Sequence, residues 1–150
     1  MHVCLHIKIC EARNTLRVDL SGKSDPYVTL RLRSQDLNDA QKTQVIKNST
    51  CPIWNQEFDI VAVDPYDFLF INMYDEGIRH IKLMNELQFP IDMWPIGCPL
   101  DRKELDIKLN NKKAGKFIFE IQAFPANGYA SGVSERAVNL GGVNGTNGCI

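Results

Sequence analysis

Asp19-Leu20-Ser21-Gly22-Lys23-Ser24-Asp25-Pro26-Tyr27 is the stretch whose reading decides the fold. It starts on one carboxylate, turns over Gly22 and reaches a second carboxylate just before a β-rich run. Pro26 disfavours the helical region for Asp25, so the loop ends in extended backbone where a strand can begin. Acids on the two limbs of one short loop can face the same space, although Asp, Ser and Gly are also ordinary turn formers. The flanks sharpen the reading: Leu5-His6-Ile7-Lys8-Ile9-Cys10-Glu11-Ala12-Arg13 precedes the loop, and Tyr27-Val28-Thr29-Leu30-Arg31-Leu32-Arg33 follows it.

Outward from the loop, the period of two recurs. Val3, Leu5, Ile7 and Ile9 share one side of a strand, and Val28, Leu30 and Leu32 one side of the next, over Pro26–Arg33. The spacing predicts further strands over Gln41–Lys47, Trp54–Val61, Asp67–Tyr74, Glu86–Ile91, Glu104–Leu109 and Lys116–Phe124. Asn110-Asn111-Lys112-Lys113-Ala114-Gly115 supplies hairpin-turn chemistry between the last two. Trp54, Phe58, Phe68 and Phe70 are assigned to the core. With no long helical pattern, the chain is expected to be all-β, an antiparallel β-sandwich of about eight strands. One domain is expected over residues 1–125. Residues 126–150 form a Gly/Asn-rich tail with no periodicity, read as flexible because it cannot bury enough apolar surface to offset its ordering entropy.

The order of motifs resembles a C2 domain. The residues that carry the resemblance are Glu11-Ala12-Arg13, Gly22-Lys23-Ser24-Asp25-Pro26-Tyr27-Val28, Lys47-Asn48-Ser49-Thr50-Cys51-Pro52-Ile53-Trp54-Asn55-Gln56-Glu57-Phe58 and Tyr74-Asp75. It runs from about Val3 to Phe124. The resemblance implies an eight-stranded sandwich with functional loops at one end, where acids of the first and third loops hold calcium. By position, Asp19 and Asp25 match the first-loop acids and Asp75 the first third-loop acid, with the carbonyls of Val18 and Glu76 at main-chain ligand positions. The next two acidic positions hold Gly77 and Lys82 instead. Fewer carboxylates and one ammonium disfavour a doubly charged ion. The expectation is at most one calcium, held weakly by Asp19, Asp25 and Asp75 with Glu76 as substitute ligand, in the range of roughly 10⁻⁴–10⁻³ M. The alternative is that these acids only cap turns.

Gly77-Ile78-Arg79-His80-Ile81-Lys82 joins apolar groups to cations. This suggests a loop that meets anionic membrane lipid through Arg79 and Lys82, with Ile78, and Leu20 of the first loop, entering the interface; each basic group is worth about 1 kcal/mol there. Ile81 and Leu83 have the competing option of turning into the core. The resemblance also points to a basic sheet face, here Arg31, Arg33, Lys42 and Lys47, for which solvated surface charge is the competing reading.

Composition sets the remaining bounds. The chain has 150 residues, and its net charge of −1 gives no support to a nucleic-acid partner. No apolar run approaches the roughly 18 residues of a membrane span. Five scattered cysteines argue against a disulfide framework and fit a reducing compartment. No catalytic motif stands out, so the chain is expected not to be an enzyme but a cytoplasmic, peripheral membrane-targeting module. The second reading is a calcium-independent protein-interaction scaffold. The sequence leaves the oligomeric state open.

Overall fold

The computed structural model describes residues 2–15, 24–77 and 79–126. The expectations for Val18, Asp19, Leu20 and Ile78, and for the tail beyond Ala126, lie outside the described residues. Eight strands run in order: β1 (Val3–Arg13), β2 (Pro26–Leu32), β3 (Gln41–Lys42), β4 (Ile53–Ala62), β5 (Phe68–Asp75), β6 (Leu87–Pro90), β7 (Asp101–Leu109) and β8 (Lys112–Pro125). They form two four-stranded sheets, ordered β4-β1-β8-β7 and β3-β2-β5-β6, and the named pairings are antiparallel. The expected β-sandwich is the observed fold.

The core lies between the sheets and is built by the alternation already visible in the chain. Leu5, Ile7 and Ile9 of β1 meet Val28 and Leu30 of β2, Leu69, Ile71 and Met73 of β5, and Phe117, Phe119 and Ile121 of β8. Phe119 links the layers: its ring centroid lies 5.6 Å from that of Phe89 on β6 and 5.8 Å from that of Phe117. Burying such side chains contributes about 1.5–3 kcal/mol each.

Two expectations need correction. The third strand ends at Lys42, because Thr43 turns its hydroxyl onto the Val28 N–H at 2.9 Å and takes the place of a ladder carbonyl. Phe68 and Phe70 are not in the inter-sheet core. They lie on the outer face of β5, where Arg33 stands 4.5 Å from the Phe68 ring centroid and Arg31 4.9 Å from that of Phe70. Trp54 does pack in the core, and its indole N–H donates to the Gln44 carbonyl at 2.9 Å.

The β7–β8 hairpin turns on Asn110 and Asn111, both at positive φ, as a two-residue turn between right-twisted strands requires. Gly115 follows at φ 106°, where a Cβ would stand 2.1 Å from the Arg13 carbonyl oxygen; only glycine fits that approach. At the other end of the sandwich, β1 begins beside the close of β8, and the Ala126 N–H donates to the His2 carbonyl at 3.2 Å. Cys10 and Cys51 carry free thiols, but Cys98 is disulfide-bonded.

Candidate functional site

At the loop end, the chain returns to one junction from segments far apart in sequence. Asp25 is its centre. Its N–H donates to Asp75 Oδ1 at 2.8 Å, its Oδ1 accepts the Asn48 N–H at 2.7 Å, and its carbonyl accepts the Glu76 N–H at 2.9 Å. β2 and β5 are paired with Pro26 opposite Asp75, which is what brings the two acids together. Asp75 is only 8% exposed. Asn48 adopts φ 52°, turning its N–H toward Asp25, and the Ser49 N–H bonds the Ser24 carbonyl at 2.8 Å.

Glu76 has a side-chain partner of its own: the Lys47 ammonium lies 2.8 Å from its Oε1. That hydrogen bond, then the Glu76 charge and the more distant Asp25 charge, raises the Lys47 pKa, with desolvation opposing. Lys47 is thus committed to the acids and does not join Arg31, Arg33 and Lys42 on the sheet. At Gly77 a Cβ would stand 3.2 Å from Asp75 Oδ2. A side-chain carboxylate rooted at that position would crowd Asp75 Oδ2.

The fit of this end to calcium is therefore partial. Among the described residues, no group of three or more His, Cys, Asp or Glu side chains is arranged to hold a metal ion. One oxygen each of Asp25, Asp75 and Glu76 is occupied by a donor from the chain itself. An ion here would have to draw on their remaining oxygens and on Asp19, outside the described residues.

The loop that follows is fastened to the sheet rather than free. Asp75 N–H donates to the Ile81 carbonyl, Leu83 N–H to that of Met73, and Lys82 bridges opposite Tyr74. His80, at φ 47°, shares a 2.8 Å hydrogen bond between Nδ1 and the Tyr27 hydroxyl. Tyr27 stacks on Tyr74 with centroids 5.6 Å apart. Burial raises the pKa of both tyrosines, helped by mutual charge and Glu76 for Tyr27 and by Glu86 for Tyr74. Leu83 turns fully into the core while Ile81 stays 46% exposed. Arg79 and Lys82 are exposed. Ile53, 58% exposed at the start of β4, is a further apolar group at this end; its position just after Cys51-Pro52 was the available signal in the sequence.

The outer face of β2 and β5 continues from the loop. Tyr27, Thr29 and Arg31 stand opposite Tyr74, Asn72 and Phe70, with Lys42 of β3 opposite Thr29. Among the described residues Arg31, Arg33 and Lys42 form no ion pair with a carboxylate. Arg31 Nη1 donates to the Gln35 carbonyl at 3.0 Å, while its Nε and the Asn72 Oδ1 are buried without a hydrogen-bond partner. A cavity of about 310 Å³ lies elsewhere, lined by Trp94, Cys98, Leu100, Lys103 and Gln122 near the start of β7. No helix of the described residues is long and apolar enough to cross a membrane.

Comparison with known proteins agrees with this geometry. The family model described as the C2 domain matches residues 3–108. Synaptotagmin-3 of Arabidopsis thaliana is 46% identical over 135 residues, covering 81% of this chain and 24% of that protein. A calcium-dependent lipid-binding protein of Arabidopsis thaliana is 28% identical over 106 residues, 70% of this chain and 20% of that protein. A C2 domain of plant extended synaptotagmin 1 superposes with a TM-score of 0.70 at 26% identity, covering 81% of this chain and 94% of that structure. The chain spans about a quarter or less of the length of these curated relatives.

Proposed function

Because the chain belongs to the C2 domain family, we propose that it is a peripheral membrane-targeting module that binds anionic phospholipid, with calcium reduced to at most one weakly held ion. The observation that carries this reading is the set of cations that have no carboxylate partner among the described residues and lie on the sheet face and the loop fastened to it. Arg31, Arg33 and Lys42 lie on the outer sheet face, and exposed Arg79 and Lys82 on the loop fastened to it. Phosphates of an anionic surface complement such cations, each contributing about 1 kcal/mol. Exposed Ile81 and Ile53 give the same end apolar groups suited to shallow insertion, with Leu20 and Ile78 expected to add to them.

Calcium has a subordinate place in this reading. Asp25 and Asp75 are already joined by backbone donors, which supports loops that keep their arrangement without metal. Asp19, Asp25, Asp75 and Glu76 remain the proposed ligands for one weak ion.

The test is sedimentation with phosphatidylserine-containing vesicles, in calcium and then in chelator. Binding of similar strength in both conditions is expected, falling at higher salt as the basic contacts are screened. The double variant Arg79→Glu/Lys82→Glu should lose most binding. Absence of binding by the wild-type protein in either condition would remove the membrane reading and leave the protein-interaction scaffold in its place.

A further inference from the structure

After Leu32, β2 gives way to a turn over residues 33–35, closed by the Gln35 N–H on the Leu32 carbonyl at 3.0 Å. Ser34 stands exposed on this turn. Its hydroxyl donates to Asp67 Oδ2, while its N–H and that of Phe68 donate to Asp67 Oδ1. The backbone bonds hold the turn, so the hydroxyl can change partner without loosening it. Arg31 is tied to the same turn: its Nη1 donates to the carbonyls of Leu32, Arg33 and Gln35 at 3.3, 3.5 and 3.0 Å, and its Nε is buried without an acceptor. Arg33 is exposed beside Ser34, and neither guanidinium pairs with a carboxylate among the described residues. An exposed hydroxyl with guanidinium groups one and three residues before it suits a serine kinase whose acidic groove selects substrates by charge.

We propose that Ser34 is a phosphorylation site that turns the basic sheet face off. In the step, Ser34 Oγ attacks the γ-phosphorus of ATP, the bond to the leaving ADP breaks, and the hydroxyl proton passes to the base of the kinase. The new group carries about −1.5 to −2 charge at neutral pH. Asp67, 3% exposed, repels it, whereas Arg31 and Arg33 attract it. The phosphate therefore engages the cations that the proposed function offers to lipid. The loss of membrane affinity rests on that reading; the modification and its pairing with arginine do not.

The experiment begins with the full chain, magnesium ATP and a serine kinase selective for arginine three residues before its acceptor. Mass spectrometry should find phosphate on Ser34, lost in Ser34→Ala; an unmodified Ser34 overturns the site. Phosphoserine is then placed at position 34 by genetic encoding, and phosphorus NMR follows its second ionisation in the protein alone. That ionisation should fall at lower pH than in the Arg31→Gln/Arg33→Gln background, and equal values overturn the pairing with arginine. Sedimentation with phosphatidylserine-containing vesicles should show affinity reduced about tenfold or more by the phosphate, as two basic contacts are cancelled, with Ser34→Ala close to wild type. Unchanged binding of the phosphorylated chain overturns the switch. Absence of binding by the unmodified chain overturns the membrane reading and the switch with it, while the mass and phosphorus spectra still decide the site.

Discussion

On the outer face of the β4-β1-β8-β7 sheet, charge is answered from within. His6 of β1 lies between Asp59, at 2.8 Å, and Glu57, at 2.6 Å, on β4. Lys8 stands in register with Glu57 on one side and Glu120 on the other, and Arg102 pairs with Glu120 at 3.0 Å. The outer face of the β3-β2-β5-β6 sheet is arranged the other way. Arg31 and Arg33 lie over Phe70 and Phe68, and neither pairs with a carboxylate among the described residues. A ring supports the guanidinium by about 0.5–1 kcal/mol without cancelling its charge. Both faces belong to one fold with the same pleat; they differ in whether the neighbouring strand offers a carboxylate or an aromatic ring.

The hardest way to break the comparison is to remove what both faces stand on. Phe119→Ala deletes the ring that spans the layers and should cost about 3–5 kcal/mol, measured by denaturant unfolding. Both faces should be lost together in one transition. If β3-β2-β5-β6 unfolded separately, the faces would rest on independent supports.

A sharper cut leaves the core alone. Arg31→Gln/Arg33→Gln should weaken binding to anionic vesicles about tenfold or more, since two basic contacts of about 1 kcal/mol each are removed. The matched neutralisation Lys8→Gln/Arg102→Gln should leave vesicle binding within about twofold of wild type, because Arg102 is paired with Glu120 and Lys8 stands in register between Glu57 and Glu120. Equal losses in the two variants would mean that only net charge matters.

The smallest effect concerns the tyrosines at the junction of the aromatic face and the loop. Tyr27 and Tyr74 have raised pKa values, first from burial. The folded state therefore holds both neutral more firmly than the unfolded chain does. Stability should be level below their ordinary value of about 10 and fall as pH rises past it. Tyr27→Phe should flatten that fall in a denaturation series, and an unchanged slope would assign it to other groups.

The strands could be read in the chain because alternation is local: Leu5, Ile7 and Ile9 reveal their face without knowledge of any partner. β5 shows the limit. Phe68 and Phe70 alternate with Leu69 and Ile71, so both of its sides are apolar and periodicity cannot say which faces inward. The pairing of Arg31 with Phe70 settles it, and that pairing joins residues on different strands. The same limit governs the site. The nearness of Asp25 and Asp75 was implied by the resemblance to a C2 domain, but the Lys47–Glu76 pair was not: it forms through the packing of two loops, and Lys47 reads in the chain as one more basic residue near the sheet. Thr43 ended β3 early through a side-chain hydrogen bond that propensity alone does not reveal.

The meeting of His2 with Ala126 has a practical meaning for the architecture. The polypeptide enters and leaves the sandwich at neighbouring points, on the end away from Asp25 and Asp75. A unit built in this way can be spliced into a host chain while adding little distance between the segments it interrupts. Cargo fused on either side would hang from the same corner, leaving the loops unobstructed like the face of a stamp held by its handle.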